Sequence, residues 1–216
     1  MIKTVIVLSG GMDSTTLLYK LLDENKEVRA ISFNYGQRHA LELAKAAMSC
    51  AKLGVAHKVV DISFLRDVLA NSALTSDIKV PHGHYEAENM KLTVVPNRNM
   101  IMASIAIGYA VNEDFNEIAL GVHAGDHAIY PDCRPAFIKA LGKIAKIANF
   151  KPISVYTPFL YLDKGDIAIE GKRLGVDYSK TLTCYEGKKK PCEKCGACVE
   201  RAESFKKADL KDPLLS

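Results

Sequence analysis

Short apolar runs and helical patterns alternate along most of the chain. Compact runs rich in β-branched residues predict buried strands at residues 5–8, 28–33, 58–62, 118–121 and 153–156. Helical patterns lie between them, at residues 15–22, 40–53, 99–111 and 136–148. Strands that are separated by helices are typical of a parallel sheet with helices on both faces. The pattern therefore predicts an α/β fold built on a doubly wound, Rossmann-like parallel sheet.

The last predicted helix has the clearest end signals. Asp163 can cap its N-terminus, with Asp166 three residues further on, and Gly175 ends it. The Lys- and Cys-rich segment that follows is too polar to build a core alone. We therefore expect an ATP-binding α/β domain at residues 1–178 and a small metal-binding region at residues 179–216 that packs on it.

Residues 64–95 interrupt the alternation. They show no clear periodicity and carry His82, Gly83 and His84 among other polar residues. We expect this segment to be an insertion or a lid.

Composition limits the class of protein. With 48% hydrophobic residues in 216, the chain can bury a sizeable core without disulfides. A net charge of +4 suits small anions but is too weak to indicate direct nucleic-acid binding. Neither a signal-peptide pattern nor an apolar stretch of about 18 residues is visible. The sequence therefore predicts a cytoplasmic protein without a membrane partner, in which thiols stay reduced.

A glycine-rich loop joins the first strand to the first helix. It reads Ser9-Gly10-Gly11-Met12-Asp13-Ser14. Two glycines allow a tight turn and a close approach of backbone to ligand, and free N–H groups at a helix start favour an anion. We therefore predict an ATP site formed by Leu8, Ser9, Gly10, Gly11, Met12, Asp13, Ser14, Thr15, Thr16, Leu17 and Leu18. The alternative is a strand-to-helix turn that is merely rich in Gly and Ser.

The loop differs from the common phosphate and nucleophile motifs. It lacks the G-x-x-x-x-G-K-[ST] lysine that reaches the β- and γ-phosphates, and it is neither G-x-G-x-x-G nor G-x-S-x-G. Asp13 is a poor neighbour for phosphate unless it holds Mg²⁺ or orients the loop. These differences disfavour a dinucleotide fold and a serine hydrolase.

Four cysteines crowd into fifteen residues near the C-terminus: Cys184, Cys192, Cys195 and Cys198. Four thiolates satisfy tetrahedral Zn²⁺ and leave no position for water, so we expect one structural zinc per chain. An iron–sulfur cluster is the main alternative, but ferredoxin spacing places the fourth cysteine downstream and before Pro. A redox dithiol or inert thiols remain further alternatives.

Polar residues also collect in loops near the expected carboxyl edge of the sheet, where doubly wound folds bind ligands. The candidates for substrate binding are Tyr35, Gln37, Arg38, His39, Asn97, Arg98, Asp132 and Arg134. For each, a solvated loop or a helix cap is the structural alternative. Cys133 in the same region is either a buried thiol or a nucleophile, and Cys50 has the helical spacing of a core residue.

The motifs together resemble a known family. The glycine loop resembles the PP-loop of the N-type ATP pyrophosphatases, whose fold is that of the adenine nucleotide alpha hydrolases. The full ordered set resembles the QueC family of queuosine and archaeosine precursor synthesis; it comprises residues 9–14, 35–39, 95–99, 130–135, 151–153, 157–158, 183–185 and the CxxCxxC tail. The chain departs from the family at Asn97, where many relatives have Gly, and at residues 123–127.

The resemblance implies an activity. Members convert 7-carboxy-7-deazaguanine, ammonia and ATP with Mg²⁺ into the 7-cyano product through adenylated intermediates, usually as homodimers. On this basis Asp13, Arg38 and Lys164 are candidate catalytic residues, the latter two as donors that stabilise developing charge. The rival functions are a PP-loop tRNA thiolase, which should carry an RNA-binding extension or a sulfur-bearing cysteine pair, and a zinc-ribbon nucleic-acid module, which leaves the first 150 residues unexplained.

Overall fold

The fold is described from a computed structural model, in which residues 2–188 and 190–215 are described. The strands are β1 Lys3–Val7, β2 Glu27–Asn34, β3 Ala56–Asp61, β4 Glu117–Ala119 and β5 Ser154–Tyr156. The α-helices are α1 Met12–Asp23, α2 Leu41–Leu53, α3 Leu65–Val68, α4 Arg98–Asn112, α5 Pro135–Ile147, α6 Lys164–Arg173 and α7 Gly196–Lys207. Short 3₁₀ helices lie at Glu88–Thr93, Ala124–Ala128, Pro131–Cys133 and Tyr178–Lys180. None of the described helices is both long and apolar enough to span a bilayer.

The five strands form one parallel sheet in the order β3-β2-β1-β4-β5. Successive side chains of β1 alternate between its faces: Val5 packs in the core that α4 and α5 cover, and Ile6 in the core that α1, α2 and α6 cover. The predicted doubly wound fold is thereby confirmed. The strand order reverses between β1 and β4, and such a switch point opens a crevice at the carboxyl ends of the strands.

Helix ends follow local chemistry, and the largest shift from the sequence prediction is at the start of the first helix. The first helix begins at Met12 rather than Thr15, because Gly11 is already extended and serves as the residue before the helix. Asp13 therefore lies in the first turn. At α6 the capping box that joins Asp163 and Asp166 is present, as the sequence predicts.

The segment 64–95, which the sequence predicts to be an insertion or a lid, connects β3 to α4 and is packed, which disfavours a lid. Ala73 and Leu74 are fully buried, and Met90 and Val95 are nearly so. Leu74, Met90 and Val95 join the same apolar cluster as β1, α4 and α5. Opening this segment would expose core side chains, and scattered core contacts of this kind produce no regular period in the sequence.

The C-terminal region contains a helix that the sequence did not predict. Helix α7 packs along α6, where Phe205 and Ala208 form a small apolar cluster with Met12 and Tyr178. Arg201 on the same helix is 2% exposed and binds both carboxylate oxygens of Asp212, at 2.7 and 2.9 Å. This region is thus tied to the α/β core along the whole length of α7.

Candidate active site and metal centre

A cavity of about 210 Å³ lies at the carboxyl ends of β1 and β4. Its walls come from the glycine-rich loop, from the segments after β2 and β4, from the start of α4 and from the chain that leads to α7. The lining residues include Ser9, Gly11, Asp13, Ser14, Tyr35, His39, Glu42, Arg98, Asn99, Asp126, Tyr130, Cys133, Lys164, Thr183 and Tyr185. It occupies the switch point at which this fold binds ligands.

The two loop glycines have different structural roles. Gly10 has a φ of +91°, and a Cβ there would lie 2.1 Å from the carbonyl oxygen of Glu42. Gly11 has an ordinary φ of −75° but faces the cavity directly before α1. Because Gly11 has no side chain to cap this helix, the N–H groups of the first turn remain available to an anion. The hydroxyls of Ser9 and Ser14 lie 3.0 Å apart beside them.

The other loop residues contribute structure rather than cavity lining. The side chains of Leu8, Leu17 and Leu18 are fully buried in the apolar core, and Met12 is buried against α6 and α7. The Thr16 hydroxyl donates to the Met12 carbonyl oxygen and lies 2.9 Å from the Tyr178 hydroxyl. Leu8, Met12, Thr16, Leu17 and Leu18 are not among the residues that line the cavity, and their part in the predicted ATP site stays a prediction.

A buried charged network lies beside the loop. The Lys164 ammonium contacts Glu200 at 2.5 Å and Asp13 at 3.4 Å. Burial opposes the charge of Lys164, but the carboxylates of Asp13 and Glu200 outweigh it and raise its pKa. His123 Nε2 lies 3.7 Å from Asp13 and 3.4 Å from Asp126. Five side-chain atoms of the described residues are buried without a hydrogen-bond partner, as expected where a ligand completes a site: Asp13 Oδ1, Thr15 Oγ1, His39 Nδ1, His123 Nδ1 and His127 Nε2.

The other end of the cavity is built around Arg98. Tyr35 and Tyr185 lie beside its guanidinium; burial opposes the charge, but these tyrosines raise the pKa of Arg98, which stays protonated. Burial and the Arg98 charge lower the pKa of His39 to about 3, so its imidazole is neutral at pH 7. Burial raises the pKa of Glu42 to about 8, so this carboxyl is largely protonated at pH 7. The 3.5 Å contact of His39 with Glu42 thus joins neutral groups, and Arg98 leaves this end positive.

Several predicted substrate residues lie elsewhere. The Arg38 guanidinium donates to the carbonyl oxygens of Ser76 and Ile78, and the Arg134 guanidinium donates to those of His127 and Ala128. Both arginines thus anchor loops and do not line the cavity.

Three further candidates hold local backbone structure. Gln37 donates to the Phe33 carbonyl oxygen and accepts from the Tyr35 N–H. Asn97 has a φ of +58°, which explains why its position favours Gly or Asn. Asp132 accepts from the Asn99 N–H at 2.9 Å. The sequence analysis did not propose several cavity residues on distant segments as site residues, among them Glu42, Asp126, Tyr130, Thr183 and Tyr185. It also missed Glu200, which reaches the site through its contact with Lys164.

Cys133 lies in the cavity wall but is only 3% exposed. Burial, together with the carboxylates of Asp126 and Asp132, raises the pKa of this thiol above its usual value. A nucleophilic cysteine requires a depressed pKa. The structure therefore favours a buried thiol at Cys133.

The four clustered cysteines converge on one point. The Sγ atoms of Cys184, Cys192, Cys195 and Cys198 all lie within 4.8 Å of one another, and the Sγ atoms of Cys192 and Cys198 are 3.9 Å apart. Tetrahedral zinc with bonds of about 2.3 Å requires sulfur separations of about 3.8 Å. The arrangement therefore fits a four-thiolate metal centre.

The sheet order, the Ser-Gly-Gly-x-Asp-Ser loop and the cavity at the switch point define an ATP-using α/β enzyme of the PP-loop class. Solved structures share the fold: NMN synthetase from Francisella tularensis matches with a TM-score of 0.51 at 12% identity, over 96% of this chain and 77% of that one. NH₃-dependent NAD synthetase from Campylobacter jejuni matches with a TM-score of 0.50 at 18% identity, over 82% of this chain and 66% of that one.

The chain belongs to the QueC family, because residues 3–209 match the family described as queuosine biosynthesis protein QueC. Two relatives named 7-cyano-7-deazaguanine synthase are similar over nearly their whole length. The protein from Hahella chejuensis is 56% identical over 98% of this chain and 92% of its own. The protein from Alteromonas mediterranea is 54% identical over 97% of this chain and 96% of its own.

Proposed function

We propose that this chain is an ATP-dependent ligase that converts 7-carboxy-7-deazaguanine and ammonia into 7-cyano-7-deazaguanine. The observation that carries the proposal is the family membership over residues 3–209, joined to a cavity with a phosphate-binding loop at one end and a buried arginine at the other. The alternative of tRNA thiolation is not favoured, because the full-length relatives are named for the nitrile synthesis.

The chemistry explains the need for ATP. A carboxylate is a poor acylating agent, because oxide is a poor leaving group. Attack of the carboxylate oxygen on the α-phosphate gives an acyl adenylate and pyrophosphate, and ammonia then displaces AMP to give the amide and one proton. Adenylation of the amide oxygen releases a second pyrophosphate, and loss of AMP and a proton leaves the nitrile.

The loop end of the cavity fits the pyrophosphate. N–H groups at the start of α1 and the Ser9 and Ser14 hydroxyls would bind its oxygens where charge develops. Lys164, held by Asp13 and Glu200, supplies a fixed positive charge beside them. Asp13 offers a carboxylate oxygen to the Mg²⁺ that accompanies ATP, and its partnerless Oδ1 suits that role.

The Arg98 end fits the acid substrate. Its positive charge, surrounded by tyrosine hydroxyls and a neutral imidazole, suits a carboxylate in a site of low dielectric. Tyr35, Tyr130 and Tyr185 supply flat apolar faces for a planar heterocycle. We infer that Tyr35, His39 and Arg98 are the substrate contacts among the residues that the sequence suggested.

The cysteine cluster is proposed to hold one structural zinc. Its four sulfurs satisfy a tetrahedral ion without a position for water, so the ion would hold the segment before α7 in place and take no part in the reaction. Residues 1–178 and 179–216 then differ in their function but pack together, because α7 packs on α6 of the core.

A homodimer in the cytoplasm is the proposed state of the protein. Ile147 and Phe150 near the end of α5 are 82% and 110% exposed, which suits burial against a second copy. Light scattering of the wild type and of Phe150→Asp tests this, since a dimer built on that face should dissociate in the variant.

The decisive experiment follows oxygen from substrate to nucleotide. With oxygen-18 in the substrate carboxylate, we expect labelled AMP, and two AMP with two pyrophosphate for each nitrile formed. When ATP is limiting, the amide should accumulate. Labelled inorganic phosphate with ADP as the nucleotide product would refute adenylation.

A further inference from the structure

Two further cavities lie between the main cavity and the protein surface. An inner cavity of about 20 Å³ shares Asp126, Tyr130 and Tyr185 with the main cavity. It shares Tyr85, Gly125 and Glu200 with an outer cavity of about 230 Å³ between α6 and α7. The outer cavity is open to solvent, because its wall residues Glu203 and Lys207 are about half exposed. The inner space holds one molecule of the size of water or ammonia.

The lining of this passage suits a small cation. The two cavities of the passage are lined by four carboxylates and two lysines, so acidic groups are in excess; these are Asp126, Asp163, Glu200 and Glu203 against Lys164 and Lys207. A separate observation points to a missing ligand: His123 is 1% exposed, and its Nδ1 is buried without a partner among the described residues. An ammonium or ammonia molecule carries N–H donors and, once neutral, a lone pair, which match these acceptors and donors.

Gly125 lies in the walls of both the inner and the outer cavity. A Cβ there would lie 2.5 Å from Glu200 Oε1 and 3.1 Å from His123 Nδ1. The φ of Gly125 is outside the left-handed region, so its backbone does not require glycine. A side chain is therefore excluded here by the close approach of a carboxylate oxygen and an unpartnered imidazole nitrogen, at the point where the inner and the outer cavity meet.

The reaction requires a second route by which ammonia can reach the bound intermediate. When ammonia attacks, the main cavity must hold the adenylated acid, which blocks its mouth. We propose that ammonium enters through the outer cavity and binds between Glu200 and His123 beside Gly125. It gives one proton to the unpartnered Nδ1 of His123 and reaches the acyl adenylate as ammonia by this second route. This proposal rests on the proposed function, since it names the path of one of its substrates.

Narrowing the passage is the first test. Gly125→Ala should raise the KM for ammonium at least tenfold, while the KM for ATP and for the acid change less than twofold. Gly142→Ala on α5 is the matched control, because a Cβ there meets nothing within 4 Å. An unchanged ammonium KM in Gly125→Ala overturns the route.

A partial reaction distinguishes a failure of the proposed ammonium route from a failure of the proposed function. Exchange of labelled pyrophosphate into ATP, driven by the acid alone, needs no ammonia and should be retained by Gly125→Ala. Absence of exchange in the wild type would overturn the proposed function itself. Loss of exchange only in the variant would show that the change disturbs activation rather than ammonia entry, and would count against the route.

Widening the passage gives the opposite expectation. Tyr85 borders both the inner and the outer cavity. Tyr85→Ala should raise the kcat/KM for methylamine relative to ammonium at least tenfold, with the N-methyl amide as product. An unchanged ratio would show that this wall does not select the nucleophile.

Binding can be seen without turnover. Rubidium, which is close to ammonium in size and charge, should give an anomalous diffraction peak beside Glu200 Oε1 in wild-type crystals. The peak should disappear in Glu200→Gln. Rubidium bound only elsewhere, or an equal peak in the variant, overturns the assigned ammonium site.

Discussion

The paired loop glycines allow a sharp test, because adjacent Gly→Ala changes should have opposite consequences. Gly10 needs its positive φ and lies against α2, where an added Cβ would be 2.1 Å from the Glu42 carbonyl oxygen. At Gly11 a Cβ would meet Ser9 Oγ at 3.2 Å and the Leu182 carbonyl oxygen at 3.7 Å, on a backbone that any residue adopts.

The magnitudes follow from these contacts. A left-handed alanine costs about 1–2 kcal/mol, and overpacking against backbone adds about 1–3 kcal/mol. For a chain of this size, Gly10→Ala should lower the melting temperature by roughly 10 °C. Gly11→Ala should be neutral or stabilise by up to about 1 kcal/mol, since it restricts the unfolded chain at a compatible position. A larger side chain, in Gly11→Val, should fill the space of the phosphates and abolish ATP binding without unfolding the protein.

Thermal unfolding of the three variants, with ATP titration by calorimetry, decides the matter. Wild-type stability in Gly10→Ala would contradict the close approach of the loop to α2. Near-normal ATP affinity in Gly11→Val would show that the phosphates do not bind at the start of α1.

Three further predictions concern single groups. Cys195→Ser should reduce the metal content below one zinc per chain and lower the melting temperature; iron with labile sulfide in anaerobically prepared protein would refute zinc. The pKa of Glu42 is about 8 in the folded protein, whereas its ordinary value is 4.5. Because the folded protein binds this proton more tightly than the unfolded chain does, stability should fall as pH rises between these values. Urea unfolding should show that the free energy of unfolding of Glu42→Gln, relative to that of the wild type, rises by on the order of a few kcal/mol between pH 5 and pH 8. An equal difference at both pH values would refute the raised pKa. Cys133→Ala should keep kcat within about fivefold, because a buried thiol with a raised pKa is no nucleophile; a loss of a thousandfold or more would restore a covalent role.

The fold could be predicted because its signals are local. Runs such as residues 28–33 are too short and too β-branched for helices, and Asp163 with Asp166 forms a cap within three residues. Helix α7 was not predicted because its apolar positions are few. Cys195 directly precedes it and Cys198 lies in its first turn, and these cysteines suggested only a metal loop.

The site was predictable where one motif holds several of its residues. Ser9, Gly11 and Asp13 come from one loop, and that loop lies at the cavity as expected. Glu42 and Glu200 carry no motif and reach the site only because α2 and α7 pack beside the loop. Conversely, an arginine in a polar loop looks functional until its partners are known, and Arg38 and Arg134 prove to be held by backbone carbonyls.

One helix connects the sulfur cluster to the proposed ammonium passage. Cys195 and Cys198 stand at the start of α7, and Glu200 follows two residues later. Loss of the metal would free the start of this helix and displace Glu200 with it. Because Glu200 also holds Lys164 beside the glycine-rich loop, metal-starved protein would lose the proposed ammonium site together with a fixed positive charge beside the phosphates. Scarcity of the metal would then reach both adenylation and amide formation through a single side chain.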